Sequence, residues 1–141
     1  MALSAKYVLV CDDFRREDNG KFLVVGLYTP DIAVPMVPFG MPTLTFFAML
    51  EADRPGDYSF RAKLQHMETG QVVVQAMGII PVVDPNQPII CPIKFGGVML
   101  GNHGTYSFSL EIDGQREPII TTFRVLLGAG VAIQGPPPLP R

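Results

Sequence analysis

The chain has 141 residues, 48% of them hydrophobic and 17% charged, with a net charge of −2 and only 2 cysteines. That length suits one domain, and the apolar content lies far from the disordered regime. The faintly acidic balance invites neither nucleic acid nor an anionic membrane, and Cys11 and Cys91 are too few for a secreted disulfide framework, so they are expected as buried free thiols.

Residues 1–6 lack the basic region and long apolar run of a signal peptide, and no apolar stretch reaches the ~20 residues of a membrane helix. The expected location is therefore cytoplasmic, with no membrane partner. Gly and Pro, 14 of each, cut the chain into short segments without helical periodicity. Strands are predicted at 5–12, 21–29, 43–52, 57–67, 71–82, 89–95, 105–113 and 117–127, with a short extended piece at 31–34. Eight such strands imply an all-β fold, an antiparallel β-sandwich occupying residues 1–127, followed by a Gly/Pro-rich tail at 128–141.

The first two strands are apolar on both faces. Val8, Val10, Leu23 and Val25 lie on the parity opposite Tyr7, Leu9, Val24 and Tyr28, so one set needs a second cover. Either loops supply it, with the stretch from Ile32 to Phe39 and the tail as candidates, or another protein chain does. The four residues are the expected interaction surface, and the expected assembly is a homo-oligomer.

Between these strands runs CDDFRREDNGK, residues 11–21, the densest polar stretch of the chain. Asp12, Asp13, Glu17 and Asp18 are oxygen donors of the kind that ligate Ca²⁺ or Mg²⁺. Two arginines stand among them and no Gly-spaced Asp pattern is present. A solvated connection closed by the Asn19-Gly20 turn is the preferred reading, with no metal and no cofactor expected.

The pentapeptides GDYSF, 56–60, and GTYSF, 104–108, each open an alternating strand that ends in a turn and leads into a second β-rich run. They mark the first strands of two similar hairpins. Phe60, Leu64, Tyr106, Phe108, Leu110, Ile112 and Phe123 are the expected inward residues. Gly96-Gly97 and Gly101 read as bends or a bulge after the strand at 89–95. His66 falls on the inward parity of its strand and His103 in a turn. With no nucleophile elbow and no metal-ligand spacing around either, an enzyme is not expected. In the tail, Pro137, Pro140 and Arg141 form a Pro-rich end suited to an aromatic groove on a protein partner, or to use as a spacer.

Two resemblances add to this. Cys11-Asp12-Asp13, Arg16-Glu17, Asn19-Gly20-Lys21, Gly26-Leu27-Tyr28 and Ile32-Ala33-Val34-Pro35 resemble the opening of an uncharacterised family of small bacterial proteins, a domain of unknown function. The resemblance implies a bacterial or phage-related β-rich protein and carries no activity with it. Gly104 to Phe108 resembles the tyrosine corner of immunoglobulin-like sandwiches, which implies Ig-like topology, and Tyr58 is placed for the same part. The functional expectation is a non-enzymatic interaction or assembly module that self-associates or docks on a partner through a β-face. The alternative is a ligand- or cation-binding sandwich that uses the 11–21 carboxylates.

Overall fold

Alternating side chains, closely spaced turn residues and β-branched runs produce strands almost throughout the chain. The computed structural model describes residues 2–29 and 31–128. Nine strands lie among them: β1 (Leu3–Arg16), β2 (Phe22–Tyr28), β3 (Ile32–Val34), β4 (Phe39–Ala52), β5 (Gly56–His66), β6 (Val72–Val82), β7 (Ile89–Leu100), β8 (Gly104–Ile112) and β9 (Ile119–Leu127). They form a four-stranded sheet in the order β2-β1-β4-β7 and a five-stranded sheet in the order β3-β9-β8-β5-β6. No helix among the described residues is long and apolar enough to cross a membrane.

The two sheets meet through aromatic rings. Phe46 of β4 stacks on Phe108 of β8 with centroids 4.0 Å apart and planes within 4°, and Tyr106 stacks on Phe123 at 5.7 Å. Around these rings, Leu44, Leu50, Leu64, Leu100 and Leu110 are fully buried. Period two therefore does on β5 and β8 what the alternation requires, with one departure. Phe60 is only half-buried, because its ring reaches sideways over Gly78 of the edge strand β6, into space that a Cβ there would fill.

The repeated pentapeptides have repeated geometry. The hydroxyl of Tyr58 donates to the carbonyl of Arg54 and that of Tyr106 to the carbonyl of Asn102, both at 2.6 Å and both four residues back. Each tyrosine follows a glycine in the positive-φ region, Gly56 at 146° and Gly104 at 120°. β5 and β8 are antiparallel neighbours, so the two ties anchor opposite ends of one strand pair.

Three expectations need correction. The sandwich is not wholly antiparallel: β3 lies parallel to β9 in the second sheet, and its Ile32 and Val34 are buried in the same inner core as Leu3 and Val10 of β1, not over an outer face. β1 does not stop at residue 12 but runs through the charged stretch to Arg16. Pairing from Asp13↔Val25 to Arg16↔Phe22 supplies the backbone partners whatever the side chains are. β7 likewise continues past Gly96 and Gly97 to Leu100, paired with β4 in unbroken register through Thr43↔Gly96 and Phe39↔Leu100, with Gly97 at φ 65°.

Candidate functional site

The polar stretch 11–21 is built into a long β1–β2 ribbon, which separates its carboxylates. Asp13 pairs with Lys94 of β7 at 2.7 Å, and this hydrogen bond holds its carboxyl below the usual range. Glu17 and Asp18 are exposed in the turn, closed by a bond from Gly20 N–H to Glu17 C=O at 3.0 Å. Asp12 points elsewhere, toward Tyr28, whose hydroxyl donates to it. No group of three His, Cys, Asp or Glu able to hold a metal ion occurs among the described residues.

Asp12 occupies a pivot of the ribbon. Its carbonyl accepts the Thr43 hydroxyl at 2.7 Å and the Thr45 hydroxyl at 3.3 Å, and β1 leaves β4 after the Cys11↔Thr45 pair. Its carboxylate lies over Gly26, on a spot that any Cβ would occupy, and Gly26 has φ 67°. The ribbon needs glycine at that point for both reasons. Asp12 and Tyr28 then line a cleft of about 370 Å³ together with Phe39, Met41, Pro42 and Thr43 of β4. Burial, followed by the contact with Asp12, pushes the Tyr28 phenol far above its ordinary value, so it remains a hydrogen-bond donor.

Beyond the pivot the ribbon swings over the outer side of the four-stranded sheet. Val8 and Val10 pack with the main core, whereas Phe14 and Phe22 pack on Phe47, the neighbour of inward Phe46, at 6.1 and 5.4 Å between centroids. This explains why Phe47, Thr45 and Cys11 are buried on a face that the alternation left uncovered. The second cover is the chain's own hairpin, which sequence reasoning missed. Phe14 and Phe22, apolar residues flanking a charged turn, were the available signal.

The same register splits the expected interaction set. Val10↔Tyr28 and Asp13↔Val25 pair even with even and odd with odd, so Val8 and Val10 do not share a face with Leu23 and Val25. Val10 is buried in the core, and half-buried Val8 packs against it. Leu23, Val25 and Leu27 are exposed by 47%, 40% and 49%, forming one row along β2. β2 is an edge strand, paired on one side with β1 among the described residues, and Phe22–Tyr28 contains no charged residue and no proline. Pro137, Pro140 and Arg141 lie outside the described residues.

His66 is buried as its parity requires. Its Nε2 donates to the His103 carbonyl at 2.9 Å and lies 3.3 Å from Glu68, while Nδ1 meets the Thr69 hydroxyl at 2.7 Å. Glu68 also accepts the Thr105 N–H at 3.0 Å, the main reason its pKa is lowered. Both ring nitrogens are engaged in tying the β5–β6 turn to the start of β8, and the His103 side chain is exposed outside the cluster. Cys91 is buried, which pushes its thiol up to about 11, and burial likewise raises Cys11. Neither cysteine is grouped with a histidine in a cluster of metal-binding type among the described residues.

No curated protein matches the chain. The model of a family of unknown function, DUF6941, matches residues 6–125. That span takes in the ribbon, the Asp12–Tyr28 cleft and both tyrosine-anchored hairpins, and the chain belongs to this family.

Proposed function

We propose that the protein is a non-enzymatic assembly module that self-associates through the β2 edge. The observation that carries this reading is the exposed row Leu23, Val25 and Leu27 on an edge strand with no charge to guard it. A strand edge offers unpaired N–H and C=O groups to a second strand, and natural edges are normally blunted by lysine, proline or brevity. The other outer edges have such devices: β7 contains Pro92 and Lys94, β3 is 3 residues long, and β6 contains Pro81. Antiparallel pairing of β2 with β2 of a second copy would extend the four-stranded sheet across a two-fold axis. Leu23, Val25 and Leu27 are each already about half covered, so burying the remainder would contribute about 1 kcal/mol apiece.

We further read the strand order as Ig-like. What supports this is the parallel β3 at the edge next to β9, the β9-β8-β5-β6 order, and the hydroxyl tie of Tyr106 at the start of β8.

Size-exclusion chromatography with light scattering tests the assembly. The wild type should run at a multiple of 15.4 kDa, and Val25→Lys should run as a monomer with an unchanged near-ultraviolet spectrum. A wild-type monomer at high protein concentration, or a Val25→Lys variant of unchanged mass, refutes the reading.

A further inference from the structure

Asp12 differs from several other carboxylates in having no cationic partner among the described residues. Asp13 has Lys94, Asp31 has Arg124 at 2.7 Å and Glu51 has Lys6 at 3.4 Å, but no lysine, arginine or histidine pairs with Asp12 among the described residues. Among the described residues its carboxylate accepts one hydrogen bond, from the Tyr28 hydroxyl, whereas a carboxylate has about four acceptor positions. Asp12 lines a cleft of about 370 Å³ that also has two aromatic residues, Tyr28 and Phe39, and two other apolar ones, Met41 and Pro42, in its lining. That volume is at the small end of ligand pockets, and few polar groups within an apolar lining is their usual composition.

We propose that this cleft binds an organic cation, an alkylammonium or guanidinium group on a short apolar stem. The charge selects the ligand class. A partly desolvated carboxylate attracts a cation more strongly than one in open water, and aromatic rings favour a soft organic cation over a strongly hydrated metal ion. One carboxylate and a phenol held as a donor form a poor cage for Ca²⁺ or Mg²⁺, which take six or more oxygen ligands. The stem finds Phe39, Met41 and Pro42, and the charged head finds Asp12. Gly26 fixes the geometry, since only its missing Cβ lets the Asp12 carboxylate sit where it does. The cleft uses Asp12 and Tyr28, side chains other than those of the exposed row Leu23, Val25 and Leu27.

The test is a titration of the ¹⁵N-labelled full chain, followed by amide shifts, with n-butylguanidinium and with n-butylurea as its neutral counterpart. The expected result is saturable movement of the Gly26, Tyr28, Gly40 and Thr43 amides with the cation, and binding of the urea weaker by about tenfold or more. Asp12→Asn keeps an acceptor for Tyr28 while removing the charge, and should weaken the cation by a similar factor. An N-acetyl-arginine amide that binds more tightly than butylguanidinium assigns the group to a peptide side chain, and one that binds no more tightly assigns it to a small molecule. Equal binding of butylguanidinium and butylurea overturns the proposal, as does the absence of saturable shifts in the cleft. Saturation of the same amides by calcium chloride at lower concentration also overturns it, by giving the site to a divalent ion. If Asp12→Asn does not fold, the comparison of the two ligands on the wild type decides alone.

Discussion

Removing the two tyrosine hydroxyls tests why the chain repeats its pentapeptide. Tyr58→Phe and Tyr106→Phe each leave a ring that is about 1% exposed in place and delete one short hydrogen bond to a carbonyl four residues upstream. A net neutral hydrogen bond contributes about 0.5–1.5 kcal/mol, and the loss grows toward 3 kcal/mol when the abandoned carbonyl cannot reach water. Both hydroxyls lie at partly buried strand ends, and each has a longer second contact, to Asp53 at 3.3 Å and from Asn102 N–H at 3.4 Å. A loss of about 1–2 kcal/mol is expected for each variant. The two effects should add. Tyr106 pairs with His66, eight residues along β5 from Tyr58, which places the two ties roughly 26 Å apart at 3.3 Å per residue. Urea denaturation of the wild type, both single variants and the double variant measures this, with an unchanged m-value confirming that only stability moved. If one substitution is costly and the other neutral, the hydroxyls are not equivalent anchors and the repetition has no common structural cause.

Other outcomes follow from the packing and the charges. Phe108→Ala should lose about 3–5 kcal/mol in the same assay, since it removes the ring that stacks on Phe46 and joins the two sheets. A smaller loss would mean that the core closes over the gap. Cys11 and Cys91 should resist a disulfide-exchange reagent at pH 7.5 until denaturant is added, because burial hides both and raises both thiols. Rapid reaction of the native protein would contradict their placement. Asp13, Asp31, Asp53 and Glu68 are held below their ordinary values by hydrogen bonds from Lys94, Arg124, the Ala2 N–H and the Thr105 N–H respectively. Their contribution is complete above the unfolded-state value of about 4 and is lost as pH falls through the lower folded-state values, so the urea midpoint should decline below roughly pH 4.5. Asp31→Asn should flatten part of that decline, and an unchanged profile would show that its bond to Arg124 has no effect on folding.

Much of this architecture is a local property of the residues. Period two from Tyr58 to Gln65 and from Tyr106 to Asp113, closed by turns, is enough to specify strands with a wet and a dry face, because a slip of one residue would expose every apolar side chain. Hydrophobic alternation thus announced two similar hairpins, the inward parity of His66 and the extended piece at 31–34. Alternation has no information about long-range partners. That β3 lies parallel on β9, and that Asp12 meets Tyr28 over Gly26, depends on which segments become neighbours after the chain closes. The charged stretch misled for a related reason: a strand is held by backbone pairing, so Asp13 to Arg16 extend β1 once β2 lies beside them. The same pairing decided the fate of the two-sided apolar strands. Its register sent Val10 into the core, with Val8 packed against it, and left Leu23 and Val25 in solvent, while the twist at Asp12 and Gly26 laid Phe14 and Phe22 on Phe47. Composition required that such apolar surface be covered, and only the tertiary path of the ribbon determined which residues cover it and which remain exposed.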